Sequence, residues 1–120
     1  MLYAILCYDS EDVVGGWTKA QDAAVMADLG AVTKKLAGEG RLGPVARLMP
    51  TTAATTIRKG KEPLVIDGPF AETKEQLLGF YLIECSSLDE ALERARPLAS
   101  EGSTLEIRPV FYFNPGVGLK

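Results

Sequence analysis

Residues 80–85, FYLIEC, carry the strongest strand prediction in the chain. Residues 2–8, LYAILCY, form a second short and nearly continuous apolar run, which is typical of a strand covered on both faces. Residues 106–113 alternate apolar and polar side chains and predict a final strand, which Pro109 confines to an edge or a bulge. The strands are far apart in the sequence, so the segments between them decide the fold.

A long amphipathic helix is predicted after the first strand. Thr18 and Gln21 have the spacing of a capping box, in which each residue bonds the backbone N–H of the other. Apolar residues then recur at helical spacing as far as Leu36, and glycines follow. The pattern predicts a helix over about residues 18–38.

Two further capping signatures follow. Ser87 with Glu90 begins a second amphipathic helix, which should break near Pro97 because proline disrupts a helix interior. Thr73 with Gln76 predicts one short helical turn.

The middle of the chain predicts a β-hairpin. Residues 54–59 are rich in threonine and isoleucine and indicate a strand, and residues 64–66 continue as its partner after a glycine turn. Residues 9–16 are expected to be a polar loop. Residues 41–50, with two prolines, are expected to be irregular.

The element order is strand, long helix, hairpin, strand, helix, strand, which matches the split βαβ pattern. We therefore predict a single α+β domain over residues 1–120, with a ferredoxin-like antiparallel sheet and two helices on one face. Residues 114–120 are expected to form a loose tail rich in glycine and proline. Because an uncovered apolar sheet face is usually buried by a partner, we predict a homodimer whose sheets pack face to face or close into a barrel.

Composition excludes several classes of function. The chain has 13 Lys and Arg against 16 Asp and Glu, a net charge of −3, which argues against a nucleic-acid partner. It has no histidine, which removes a histidine base and the common zinc sites. Cys7 and Cys85 are expected to be reduced, buried thiols, and no apolar run is long enough to span a membrane. The chain therefore resembles a cytoplasmic protein of bacterial style, with no metal or cofactor.

The most distinctive stretch is residues 65–77, VIDGPFAETKEQL. It closely resembles the signature of the YCII-related, or DGPF-domain, family, and GFYLIE at residues 79–84 extends the match. The resemblance covers nearly the whole chain. It implies a dimeric α/β barrel built from ferredoxin-like subunits.

The resemblance implies less about function. Some relatives are encoded beside, or fused to, extracytoplasmic-function sigma factors, which implies a signalling or stress-linked role. Another branch of the superfamily carries a His–Asp pair proposed to be catalytic. In this chain the corresponding positions lie near Leu29 and at Arg96, so that chemistry is not available here.

Asp67 is the first candidate functional residue. It ends a predicted strand at a Gly-Pro turn, where an exposed carboxylate can act as a base or bind a ligand. Its alternative role is to hold the turn by accepting the N–H of Phe70. Glu72 and Lys74 follow in the same motif and are either ligand-binding residues at a pocket mouth or merely solvated charges.

Arg108, Tyr8 and Tyr81 are the remaining candidates. The guanidinium of Arg108 can bind an anionic ligand, or it can pair with Asp67 or Glu84 within the fold or dimer. The two tyrosines lie in strands that the fold could bring near one another. Each phenol can orient a ligand, or act as an acid if its pKa is lowered, although buried aromatic packing is the more common reason for a tyrosine in a strand.

Three functional hypotheses follow. The first is a small-molecule binding or accessory module linked to regulation, with Asp67, Glu72 and Arg108 as polar groups of a pocket between sheet and helix or at the dimer interface. The second is a small enzyme with Asp67 as general base, assisted by Arg108 or Tyr81. The third is a structural partner of a sigma factor or another protein.

Overall fold

An antiparallel sheet of four strands forms the centre of the computed structural model, which describes residues 1–100 and 102–119. The strands are β1 (Leu2–Ser10), β2 (Leu42–Arg47), β3 (Thr55–Arg58), β4 (Leu64–Asp67), β5 (Glu75–Glu84) and β6 (Thr104–Pro109). The helices are α1 (Glu11–Gly15), α2 (Lys19–Gly38) and α3 (Leu88–Ala95), with short 3₁₀ turns at Thr51–Ala53 and Arg96–Leu98. The sheet order is β2-β5-β1-β6, and β3 pairs with β4 in a separate ribbon. The predicted α+β, ferredoxin-like fold class is confirmed.

The core lies between one face of the sheet and the helices. Central strand β1 places Ile5 opposite both Tyr81 and Ile107, so alternate residues of three strands share this face. The buried apolar residues are Tyr3, Ile5, Leu36, Ile83, Cys85, Ala91, Ala95 and Leu98. Most of them come from the predicted apolar runs and helix stripes. Both cysteines are free; Cys85 is buried and Cys7 is half-buried.

Helix α2 begins where the sequence predicts. The Thr18 hydroxyl accepts the backbone N–H of Gln21 at 3.1 Å, and the Gln21 side chain accepts the N–H of Thr18 at 2.9 Å. Both bonds of the capping box are therefore present. No helix within the described part of the chain is long and apolar enough to cross a membrane.

Helix α3 also follows its prediction. The Ser87 hydroxyl accepts the backbone N–H of Glu90 at 3.2 Å, and the helix ends before a 3₁₀ turn that contains Pro97. The second half of the predicted capping box is absent, because the Glu90 carboxylate instead accepts hydrogen bonds from the backbone and hydroxyl of Ser86.

Two segments expected to be loops are regular structure. Within residues 9–16, β1 continues to Ser10 and α1 follows, with the Glu11 carboxylate accepting the backbone N–H of Thr51 at 2.8 Å. Within residues 41–50, β2 pairs with β5 at the edge of the sheet. An edge strand tolerates Pro44, which lies where the register shifts. Both predictions were wrong because the stabilising partners are distant in sequence.

The helical turn predicted from Thr73 and Gln76 is also wrong. Strand β5 already begins at Glu75, and Gln76 pairs with Asp9 of β1. The side-chain amide of Gln76 donates to the carbonyls of Ala71 at 2.8 Å and Thr73 at 3.3 Å. Strand pairing therefore overrides the local capping pattern.

The predicted hairpin exists, but it does not join the main sheet. The ribbon of β3 and β4 pairs Thr55 with Asp67 through Arg58 with Leu64, and β2 supplies the fourth strand of the sheet. Strand β6 ends at Pro109, earlier than predicted, and lies at the other sheet edge, as its proline indicates. Lys120, the last residue of the predicted loose tail, lies outside the described residues.

Candidate functional site

A cavity of about 150 Å³ lies between the sheet and the first half of α2. We call it the sheet–helix cavity. Its principal lining residues are Cys7, Trp17, Val25, Leu29, Tyr81 and Leu105. Most of these side chains are apolar or aromatic, so the cavity favours an apolar occupant.

The cavity exists because the two halves of α2 pack differently. The predicted apolar stripe faces the sheet, but only Leu36 near the end of the helix is buried. Val25 and Leu29, nearer its start, remain half-buried over the cavity. The helix therefore closes on the sheet at one end and leaves space at the other.

An ion pair links α2 to the sheet edge beside this space. Arg47 of β2 donates from Nη2 to Asp22 Oδ1 at 2.8 Å and from Nη1 to Oδ2 at 3.3 Å. The hydrogen bond from Arg47 lowers the pKa of the Asp22 carboxyl, and the same bond raises the pKa of Arg47. Since this guanidinium lines the cavity but is already bound to a carboxylate, it does not present a free positive charge.

Strand β2 approaches β5 closely at the cavity wall. A Cβ placed on Gly79 would lie 2.6 Å from the carbonyl oxygen of Ala46 and 3.3 Å from the Cα of Arg47. Real Cβ atoms do not approach backbone this closely, so only glycine fits between these strands.

Two ionisable side chains of the cavity stay neutral at physiological pH. Burial raises the pKa of the Cys7 thiol to about 11. Burial, followed by the neighbouring Cys7, raises the pKa of Tyr81. A nucleophilic cysteine needs a lowered pKa, and an acid–base tyrosine needs one near neutrality. Cys7 and Tyr81 are therefore neutral hydrogen-bonding groups in the cavity wall, and the Cys7 thiol is not activated as a nucleophile.

Tyr8 and Tyr81 lie on opposite faces of the sheet. Tyr81 pairs with Ile5, so both side chains face the helices. Tyr8 lies three residues after Ile5 in β1, and because successive side chains of a strand alternate, it points to the other face. The Tyr8 hydroxyl donates to Glu106 Oε1 at 3.3 Å on the open face. The two phenols therefore point to opposite faces, although both residues border the sheet–helix cavity.

Arg108 completes a cluster on the open face. Its Nη2 donates to Glu106 Oε2 at 2.5 Å, and this bond lowers the pKa of the Glu106 carboxyl. Within one chain Arg108 therefore pairs with Glu106 and not with Asp67 or Glu84, the partners predicted from the sequence. Glu84 instead forms an ion pair with the amino group of Met1.

Asp67 lies at the end of β4, and its side chain is exposed. Within residues 1–100 and 102–119 its carboxylate accepts no hydrogen bond, including the one predicted from Phe70. The turn is held by Gly68, whose φ is 110° and whose N–H donates to the Ala54 carbonyl at 2.8 Å. Thr56 adds a hydroxyl bond of 2.8 Å to the Gly68 carbonyl.

Glu72 and Lys74 are exposed in the segment between β4 and β5. They line a shallow cleft with Glu11 and Asp12, separate from the sheet–helix cavity. The predicted site residues are thus spread over several surfaces of one chain. Over the described residues, no group of three or more Cys, Asp or Glu side chains is placed to hold a metal ion.

Sequence reasoning missed most of the lining of the cavity. In the sequence, Trp17 directly precedes the capping box of α2, and Leu29 lies at helical spacing from Val25 and Leu36. The sequence contains no signal for the space that the two side chains leave open.

A family model for the YCII-related domain matches residues 1–114, which include the DGPF stretch and all four strands of the sheet. The chain belongs to the YCII-related family. This YCII-related chain is also 57% identical over 120 residues to an uncharacterised protein of Rhizobium meliloti (strain 1021), with 97% of each chain covered. The resemblance inferred from residues 65–77 is confirmed.

Proposed function

We propose that this YCII-related protein binds one small, uncharged aromatic molecule in the sheet–helix cavity. The observation that carries the proposal is an apolar space of about 150 Å³ with a phenol in its wall. A cavity of roughly this volume, lined by apolar side chains, holds a molecule the size of benzene. The proposal makes the protein a binding or accessory module.

The lining residues explain the preference for an aromatic ligand. Trp17 offers an aromatic ring, and Met26 offers a polarizable sulfur that packs well against ring edges. The Tyr81 hydroxyl has no hydrogen-bond partner among the described residues, so it is available to a polar substituent of the ligand. Arg47 is the one cationic side chain among the described residues that line the cavity, and it is already paired with Asp22, which disfavours a carboxylate ligand.

Turnover is the weaker alternative. The enzyme hypothesis requires Asp67 to act with Tyr81 or Arg108 on one substrate. Within one chain, Asp67 lies on the β3–β4 ribbon, Tyr81 lines the cavity, and Arg108 lies on the opposite face of the sheet. Cys7, the thiol in the cavity, stays protonated because its pKa is about 11.

We also propose that the open face of the sheet packs against a second copy of this chain. Leu6, Phe80 and Leu82 on that face are only half-buried in one chain. A second copy would cover them, as the family resemblance implies. The proposal also places the protein in the cytoplasm, because its two cysteines are free thiols. It includes a sigma factor as a protein partner.

Phenol and benzene are suitable probes, because Trp17 is the only tryptophan of the chain and lines the cavity. We expect both to change the emission of Trp17 and to release heat in calorimetry. A net hydrogen bond is worth about 0.5–1.5 kcal/mol, so phenol should bind about two- to tenfold more tightly than benzene. Tyr81→Phe should remove that difference and leave benzene binding unchanged.

Leu29→Phe fills the cavity and should abolish binding of both probes. Leu88→Phe is the matched control, because Leu88 is half-exposed at the start of α3 and does not line the cavity. Unchanged emission and no heat with either probe, in wild-type protein with an intact circular dichroism spectrum, would overturn the proposal.

A further inference from the structure

The segment after β6 exposes aromatic side chains that no described residue of the same chain covers. The N–H of Val110 donates to the Leu2 carbonyl at 2.9 Å, and the segment then leaves the sheet. Phe111 is fully exposed and Tyr112 is 77% exposed. Asn114 accepts the N–H of Gly116 at 2.8 Å, so the segment has a defined turn and is not shapeless.

A second, larger cavity lies far from the point where this segment leaves the sheet. It has a volume of about 580 Å³ and lies between residues 48–54 and 69–77. We call it the loop groove. Its apolar walls are Leu48, Met49, Pro50, Ala53, Phe70 and Leu77. Met49 and Phe70 are each 76% exposed, so the groove offers unburied apolar surface.

The walls of the loop groove are held in place. The Leu48 N–H donates to the Leu78 carbonyl at 2.9 Å, which fixes one wall to β5. Glu11 accepts both the N–H and the hydroxyl of Thr51, which fixes the next residues to α1. A fixed apolar groove binds a partner with little cost of ordering.

The geometry separates the aromatic segment from the groove of its own chain. The segment starts beside Leu2, whereas the groove is lined by Tyr8 and Leu77 near the other end of β1. Six residues of strand separate these points, a distance of about 20 Å. Two sheets that pack face to face can be related by a two-fold axis perpendicular to their strands. The start of β1 in one copy then lies over the end of β1 in the other copy.

We propose that residues 111–119 of one copy fill the loop groove of a second copy, and that the exchange is reciprocal. The proposal rests on the homodimer proposed above and adds the residues that complete it. Each groove is then an incomplete site that a second copy of the chain closes.

The available area is sufficient for a specific dimer. The rings of Phe111 and Tyr112 together expose roughly 300–400 Å². Two such segments, each covering an equal area of groove, remove roughly 1,200–1,600 Å² from solvent, which is within the range of stable interfaces. Contacts between the open sheet faces come in addition to this area.

The decisive experiment mixes two single variants, Met49→Cys and Phe111→Cys, each in a Cys7→Ala background. After subunit exchange and mild oxidation, we expect a covalent dimer from the mixture and none from either variant alone. Leu88→Cys replaces Met49→Cys in the control mixture, because Leu88 is also exposed but lies on α3, away from the loop groove. A covalent link formed within one chain that carries both Met49→Cys and Phe111→Cys, or equal linking in the control mixture, would overturn the proposal.

A second measurement separates the failure of the exchange from the failure of the dimer. Sedimentation of Phe111→Ser with Tyr112→Ser should show a dimer dissociation constant at least about tenfold higher than that of wild type, whereas Leu88→Ser should not change it. A wild-type monomer at micromolar concentration would overturn both the homodimer and the exchange. A dimer of unchanged strength in the serine variant would overturn the exchange alone.

Discussion

The two ends of the layer between α2 and the sheet are built from the same elements but are packed differently. At one end, Leu36 is 2% exposed and packs with Ile5 and Ile83, which have no exposure at all. At the other end, Leu29 and Tyr81 belong to the same helix stripe and the same strand face, yet they border a cavity. The difference shows that one amphipathic pattern can supply both a filled core and an open cavity.

The filled end carries the stability and the open end carries the proposed function. Packed interiors tolerate little change in volume, so ligand space is best placed where the helix is not needed for the core. Here the core is completed by the small residues Ala91 and Ala95 of α3, which lie close to the sheet. The cavity end has the ion pair of Arg47 and Asp22 in place of such packing.

Truncating one leucine at each end of α2 should give the largest contrast. Leu36→Ala should lower the free energy of unfolding by about 2–5 kcal/mol, because it leaves a cavity in a filled core. Leu29→Ala should lower it by less than about 1.5 kcal/mol, because that side chain already borders space and solvent. Urea unfolding of both variants at one protein concentration measures the difference, and equal losses would contradict the contrast.

The two thiols report on the same two ends. At a pH below both pKa values, the rise in the pKa of Cys7 from 9.0 to about 11 leaves about a hundredfold less thiolate than in an unperturbed thiol. Cys7 should therefore react with iodoacetamide about a hundredfold more slowly than a free cysteine. Cys85, which is 1% exposed, should react more slowly still, because labelling requires the core to open.

Peptide mass spectrometry at successive times measures the labelling of each cysteine separately. The control is labelling in denaturant, where the chain is unfolded and both cysteines should react at the rate of a free thiol. If Cys85 reacted before Cys7, the filled and open ends would be the reverse of what we describe.

Acid should lower the free energy of unfolding through the ion pair at the open end, and this effect should be smaller than those above. Pairing with Arg47 lowers the folded-state pKa of Asp22 below its ordinary value of 3.8. A lowered pKa stabilises the fold above about 3.8, and that contribution is lost as pH falls through the folded-state pKa. Asp22→Asn should therefore reduce the pH dependence of the unfolding free energy below about pH 3.8. Arg47→Gln, which removes the same ion pair from the other side, should reduce that dependence to a similar extent.

The sequence predicts best where the structure depends on neighbours in the chain. The capping box of Thr18 and Gln21 and the cap at Ser87 are local signals, and both helices start where those signals lie. The same kind of signal fails at Thr73 and Gln76, because pairing with Asp9 and Ser10 of β1 stabilises a strand there. Strand β2 was missed for a related reason: its partner β5 lies more than thirty residues away.

The candidate site was less predictable than the fold. Asp67, Glu72 and Arg108 were chosen for their chemistry, and the structure places them on separate surfaces. The cavity depends on the angle between α2 and the sheet. The periodicity of Val25, Leu29 and Leu36 predicts which helix face points inward, but it contains no measure of that angle.

The close contact at Gly79 limits which changes in sequence can alter the proposed binding preference of this protein. Because the backbone of β2 lies directly against that glycine, the width of the cavity wall is set by main-chain atoms and not by side-chain size. Substitutions at Val25, Leu29 or Tyr81 can then reshape the space while the wall stays where it is. Selectivity is adjustable at those positions, whereas position 79 is closed to change.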